Sequence, residues 1–453
     1  MSVDPAREIA LKTLYDINDK GAYSNIALNR HLESADLRDV DRAFITDLVY
    51  GTVKWRLALD HVIAQFSSVR LGKISPWILN VLRLGVYQLL HTDRIPVSAA
   101  CNESVNLSKK YGHAASAGFV NAVLRNIARS RDKIRYPEME NEYSRYLSVK
   151  YSYPEWLVEK WLALYGKDFT AELLDSGNIP PDFTVRVNSL RTSKEQLKRM
   201  LKEEGIEAEN GRYLEESIVI SNPSGALKTE AYKNGLFQVQ DESSMLVGRI
   251  LGSKPGEVVM DVCSAPGGKA THIAQMMGDD GTVVARDIHP HKIKLIEDAY
   301  LRLGLKSVKA ELYDATVVDE NYIEKADRVL VDAPCTGLGI IRRKPDIKWA
   351  RDTQDTKEIV KLQTEILSAA SRYVKPGGIL IYSTCTINPE ENQEMVKAFI
   401  NSGSSFEADD ISGLLPEGLA ADGPNRCCIQ LFPNVHRVDG FFIARMKRVK
   451  SDA

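Results

Sequence analysis

Two cysteines of the 453-residue chain stand where reactive groups gather. "RVLVDAPCTG" places Cys335 three residues after Asp332, and "GILIYSTCT" places Cys385 at the end of another aliphatic run. Each run reads as a buried strand, so both thiols are expected at strand ends. A thiol with a pKa of about 8.5 is only about 3% thiolate at pH 7, and a nucleophilic cysteine therefore needs an electropositive, partly open setting. A single free cysteine is more often inert and buried; two at the mouth of one expected site favour chemistry. The pair suits addition to an electron-poor ring. Carbon 5 of cytosine is too weak a nucleophile to take a methyl group directly, whereas a thiolate adding at carbon 6 turns the ring into an enamine. An acid at ring nitrogen 3 must stabilise the adduct, a task for Asp332 with its proton held by burial. Proton loss from carbon 5 and expulsion of the thiol must follow, which gives a second polar group work. These residues alone do not rank the two cysteines.

A second constellation is "DVCSAPGGKATHIA". The adjacent Gly267 and Gly268, between an expected strand and helix, let backbone approach a ligand and aim helical N–H groups at it. The loop is neither a phosphate-binding Walker loop, since Cys263 and Ala270 replace its required Gly and Ser/Thr, nor a G-x-G-x-x-G turn. Asp287 ends the next strand 20 residues after Gly267, the spacing at which doubly wound folds set a carboxylate on ribose hydroxyls. That favours a nucleoside-bearing cofactor. Asp314, at a third strand end, suits either an adenine amino group or a local cap.

The elements that position these groups follow from periodicity. Residues 236–449 alternate strand and helix, which predicts a doubly wound, mainly parallel sheet with ligands at the carboxyl ends of its strands. Cys263, Asp287, Asp314, Asp332, Cys335 and Cys385 all fall at those ends. Residues 141–235 read as connecting helices and a small α+β module. Residues 1–140 read as all helix: Asp4 caps, Pro5 takes the first helical position, and Ala6, Ile9, Ala10, Leu14 and Ile17 share a face. Ser75 and Pro76 open another helix, with Ile78, Leu82, Val86 and Leu89 at helical spacing.

Composition bounds the partners. A formal net charge of −2 gives no global case for nucleic acid, so such a partner must be held locally. Residues 1–135, with 19 Lys and Arg against 13 Asp and Glu, are mildly basic. No apolar run approaches the roughly 20 residues of a bilayer span, and the N-terminus has no signal-peptide core, so the cytosol is the expected compartment and no membrane is involved. Six cysteines without a C-x-x-C pair indicate free thiols and neither a disulfide framework nor a metal site.

Together, "DVCSAPGGKATHIA", "DAPCTGLGIIRRKPDIKW", "YSTCTINPEEN" and "DGFFIAR" resemble the RNA 5-methylcytidine methyltransferases that use S-adenosylmethionine. The resemblance covers about residues 180 to 447, and residues 1 to about 135 resemble the NusB-type RNA-binding helical domain. It implies a NusB-like bundle, an RRM-like α+β module and a Rossmann-like catalytic domain. By that resemblance Cys385 is the covalent nucleophile and Cys335 assists release of the adduct, whereas DNA cytosine-5 methyltransferases use the Pro-Cys cysteine. Cofactor contacts are implied for Cys263, Ser264, Ala265, Pro266, Gly267, Gly268 and Lys269, then Asp287 and Asp314, with Asp332 lining methionine and base. Arg186, in "RVNSLR", matches an arginine of the family's RNA-facing module. Arg342, Arg343, Lys344 and Lys348 are expected on phosphates beside the catalytic loop. The fusion implies small-subunit ribosomal RNA as substrate, with no obligate protein partner. The rivals are the same chemistry on transfer RNA or another ribosomal site, and a binding-only assembly factor, which would show a damaged cofactor loop or a missing thiol.

Overall fold

The computed structural model describes residues 3–449 and divides into two compact units, one of Met1–Ile179 with Ile341–Ala350, the other of Pro180–Ile340 with Arg351–Ala453. The first unit is helical. Its opening helix, Pro5–Lys20, starts where Asp4 accepts the Arg7 amide at 2.8 Å and ends on Gly21 in the left-handed region. Ala6, Ala10, Leu14 and Ile17 are buried as their spacing predicts.

The helix Pro76–His91 differs from its expected single apolar face. Asn80, Val81, Arg83, Leu84 and Gln88 are buried along with Ile78, Leu82, Val86 and Leu89. Neighbouring helices surround it, and its polar side chains are met by partners: Arg83 grips Asp60 through two bonds of 2.7 Å, and Gln88 accepts from Arg7 at 2.8 Å. Buried charge is tolerated where it is paired in this way.

Residues 341–350 belong with these helices. Asp346 accepts from both the amide and the hydroxyl of Ser24, and the Trp349 indole donates to the Val53 carbonyl at 2.8 Å. Lys348 is fully buried, its ammonium 4.0 Å above the Tyr153 ring.

The second unit holds two sheets. The smaller is antiparallel in the order β2-β3-β1-β4, from β1 (Phe183–Val187), β2 (Ala208–Asn210), β3 (Ser217–Ile220) and β4 (Phe237–Val239). The helix Lys194–Glu203, capped by Ser193, packs Leu197 and Leu201 into the core that these strands share.

The larger sheet comprises β5 (Val258–Asp261), β6 (Thr282–Asp287), β7 (Val308–Leu312), β8 (Ala326–Asp332), β9 (Val374–Thr384), β10 (Phe406–Ala408), β11 (Cys428–Leu431) and β12 (Phe441–Arg448). Its order is β10-β12-β9-β8-β5-β6-β7, with β11 on β12. β5 to β9 run parallel, and the last three strands add an antiparallel edge. The chain leaves β5 first toward β6 and β7, then returns to lay β8 on its other side. That reversal opens a crevice at the carboxyl ends of β5 and β8, where ligands gather in such sheets.

Candidate active site

A cavity of about 390 Å³ lies in that crevice, lined among others by Cys263, Ala265, Asp287, Asp314, Asp332, Cys335 and Cys385. Five strand ends therefore converge on one space. The register pairs Asp332 on β8 with Ser383 on β9, and the Ser383 hydroxyl donates to Asp332 at 2.8 Å. Cys335 and Cys385, 50 residues apart in sequence, bring their sulfurs to 3.2 Å. Two backbone bonds hold the loops together, Ala333 N–H to Ser383 O at 2.8 Å and Gly339 N–H to Cys385 O at 3.1 Å. Gly339 lies so close to the closing motif that a Cβ there would sit 2.0 Å from the Gly440 carbonyl, which explains the glycine.

The thiols are not electrostatically alike. The Cys385 sulfur beside it, then burial, then the charge of Glu391 push Cys335 well above the ordinary thiol range. Cys335 keeps its proton and is fit to donate to Cys385. Near Cys385 stands Lys269, whose ammonium is 2.7 Å from Asp332 and 5.1 Å over the Phe441 ring. Burial works against that ammonium, but Asp332, Asp261 and the Cys385 sulfur together raise its affinity for the proton. Lys269 is therefore a cation close to the Cys385 sulfur.

A carboxyl whose proton is held by burial lies one strand away from Asp332. Asp261 is fully buried, and burial, then the Asp332 charge, push its carboxyl up to about 7. Asp332 instead has an ammonium partner.

The loop 263–269 divides by role. Cys263 and Ala265 line the cavity. Ser264 is buried, and its hydroxyl lies beside the Asp261 carboxyl. Gly267, at φ +95, starts the helix Gly268–Met276, and only glycine adopts that conformation freely. The peptide after Ala265 is cis, before Pro266. Asp287 accepts the His289 amide at 3.0 Å and faces Lys292 at 3.6 Å. Asp314 accepts the Thr316 amide and hydroxyl, so it caps its own turn while lining the cavity.

Two expected RNA contacts are corrected. Arg186 is 1% exposed, and its guanidinium donates to Gln275 and the Gly268 carbonyl at 2.8 Å each, to Thr271 at 3.1 Å and to Gln240. It braces the cofactor loop through four of its five N–H donors. Lys348 is equally enclosed, on the Tyr153 ring. Lys344 is exposed, and Arg342 and Arg343 are half-buried.

Several groups escaped the sequence reading. Ile288, Leu362 and Ile366 give the cavity an apolar side. Arg286 backs Tyr313, its guanidinium 4.3 Å from that ring, while paired to Glu311 and Asp319. Ile288 carried a usable signal, an apolar residue directly after the strand-end Asp287; Arg286 looked like one more strand residue.

Comparison with known proteins agrees with this geometry. Residues 249–447 match the model of the 16S rRNA methyltransferase RsmB/F family, residues 4–129 that of the NusB family, and residues 153–226 that of the RsmF/B-like ferredoxin-like domain. A probable ribosomal RNA small subunit methyltransferase B of Bacillus subtilis is 40% identical, covering 99% of this chain and 100% of its own. Its counterpart in Synechocystis is 34% identical over 98% and 99%. The crystal structure of PH0851, at 28% identity, superposes with a TM-score of 0.83 over 99% of this chain and 100% of its own. A NusB-type helical domain, a ferredoxin-like module and a Rossmann-like methyltransferase domain thus share one polypeptide, and the chain belongs to the RsmB/F family of 16S rRNA methyltransferases.

Proposed function

We propose that this protein moves a methyl group from S-adenosylmethionine to carbon 5 of a cytosine in small-subunit ribosomal RNA, in the cytoplasm, through a covalent adduct with Cys385. The observation that carries the reading is the pair of sulfurs 3.2 Å apart on the cavity wall, one keeping its proton and the other beside an ammonium. Relatives named for small-subunit ribosomal RNA support the substrate.

The residues present fit the cofactor. Asp287 suits ribose hydroxyls, and the apolar wall of Ile288, Leu362 and Ile366 suits adenine. When bound there, S-adenosylmethionine supplies the electrophilic methyl group.

The chain does the rest. Lys269 holds Cys385 as the attacking sulfur, which bonds to carbon 6 of an unstacked base. The Lys269–Asp332 pair holds the proton that ring nitrogen 3 needs as the adduct forms. After transfer, the carbon–sulfur bond breaks as Cys335 gives its proton to the departing Cys385 sulfur; the Cys335 thiolate so formed takes the proton from carbon 5, and the nitrogen 3 proton returns to the Lys269–Asp332 pair. Cys335 stands within proton-exchange distance of that sulfur and serves this release.

Labelled methyl transfer and a denaturing gel test the assignment. Cys385→Ala should transfer no methyl and form no covalent band. Cys335→Ala should accumulate a slowed protein–RNA band. The opposite pattern would reverse the two roles, and bisulfite sequencing of ribosomal RNA from cells lacking the gene would name the cytosine.

A further inference from the structure

Each of the paired cysteines is followed by a threonine, and the two threonines meet. Thr336 Oγ1 and Thr386 Oγ1 are 2.8 Å apart, and both residues are buried. Against that junction lies a carboxylate that no step described so far uses. Glu391 is 0% exposed. Its Oε2 accepts the Thr336 amide at 2.8 Å and Gln363 Nε2 at 3.1 Å. Its Oε1 accepts the Thr336 hydroxyl at 2.5 Å and Asn388 Nδ2 at 3.1 Å, and lies 3.5 Å from the Thr386 hydroxyl. Gln363 also donates to the Pro334 carbonyl at 3.0 Å, so the peptide groups on both sides of Cys335 are pinned.

An ionised carboxylate buried this deeply is costly unless its lone pairs are used. Here they are, and by donors drawn from three separate segments. Among neutral side chains none offers two acceptor oxygens without a donor; an amide would turn one of them into an N–H₂ group facing other donors.

We propose that Glu391 is a positioning residue for methyl transfer: it locks the two cysteine loops in register so that the Cys335 and Cys385 sulfurs meet. The inference rests on the thiol roles assigned above. Its charge adds to the influences that keep the proton on Cys335. Loss of Glu391 should therefore loosen the distinction between the two thiols as well as their spacing.

Glu391→Gln in the full chain tests this. Affinity for S-adenosylmethionine, measured by calorimetry, should stay within about twofold, because the cofactor loop lies on other strand ends. The kcat for RNA methylation should fall roughly 10- to 100-fold, the effect of misplacing a reacting group by about 1 Å, while KM for RNA hardly moves. Iodoacetamide labelling of the cofactor-free protein, read by mass spectrometry, should lose most of its preference for Cys385 over Cys335. Thr336→Val removes one hydroxyl from the junction yet keeps the amide bond to Glu391; it should show the same pattern more weakly, and it decides the matter if the glutamine variant does not fold. A folded variant with parental kcat and parental labelling preference overturns the proposal. Should the parent methylate no ribosomal cytosine, the functional reading fails, and the labelling preference alone still judges Glu391.

Discussion

Replacing Arg186 by methionine separates a phosphate contact from a structural brace. The guanidinium is 1% exposed and supplies donors to Gln275, Gln240, the Gly268 carbonyl and Thr271. The Thr271 hydroxyl still donates to the Gly267 carbonyl at 2.7 Å without it. Methionine of similar length would leave the Gln275 and Gln240 oxygens facing a thioether, at roughly 1 to 2 kcal/mol each, while the Gly268 carbonyl keeps the Thr271 hydroxyl at 3.1 Å. Relief from desolvating the guanidinium offsets part of that sum, and a net loss of about 2 to 3 kcal/mol is expected. Because Gly268 opens the helix after the cofactor loop, affinity for S-adenosylmethionine should weaken as well. RNA binding should behave differently. A lost phosphate contact would lower the slope of log affinity against log salt by about 0.7 to 0.9, whereas a buried brace leaves that slope unchanged. Urea unfolding followed by circular dichroism, cofactor calorimetry and filter binding between about 50 and 200 mM salt read the three quantities. Parental stability combined with a slope reduced by about one unit would refute the assignment of Arg186 as a brace.

Two further predictions come from buried charges. Asp261, with its carboxyl raised from 3.8 to about 7, binds its proton more tightly folded than unfolded. Its contribution is fully present below about pH 4 and declines as pH rises through 7, by up to roughly 4 kcal/mol at about 1.4 kcal/mol per unit. Asp261→Asn should therefore gain stability over the parent as pH rises from 5 to 8, and a difference that stays flat across that range would show that the proton is not held there. Lys348 is fully buried, its Nζ has no hydrogen-bond partner among the described residues, and burial, then Lys54, lower its pKa well below the usual range. Lys348→Met should raise the melting temperature of the helical unit and reduce its loss of stability in acid, since a lysine with depressed pKa must take up a proton as pH falls. All five tryptophans, at 55, 77, 156, 161 and 349, lie in that unit, so their fluorescence follows it alone; a lower melting temperature would assign the ammonium a stabilising role.

β5, β8 and the end of β9 were legible because each is an aliphatic run closed by Asp or Cys, and burial on both faces requires such runs. The first helix was legible from its cap. The four-stranded module was legible only in part. β2 and β4 have three residues each, too short for alternation to register, and the sheet becomes visible only when β1 is seen flanked by β3 and β4. Arg186 in "RVNSLR" and Lys348 in "IRRKPDIKW" were misplaced for a common reason. Cationic residues are exposed far more often than not, so a sequence reading sends them to solvent or phosphate, while the partners cited for Arg186 lie 54 to 89 residues away and that of Lys348, Tyr153, lies in a distant loop between two helices. Long-range pairing of this kind leaves no local period.

The ranking of the two cysteines shows why site chemistry lagged behind site location. Both thiols follow a strand, both precede a threonine, and both line the same cavity. What separates them is set by residues from elsewhere. Lys269 comes from the helix after β5 and is steadied by Phe441 of β12, while Glu391 comes from the turn after β9 and reaches back to Thr336. One thiol therefore faces a cation and the other sits next to an anion's donors. A proton shared between sulfurs at 3.2 Å will rest on the one nearer the negative charge. Exchanging those environments, not the cysteines, should exchange their reactivity, and for that reason motif spacing located the pair without ordering it, while the proposed order draws on the family resemblance and on the folded neighbourhood.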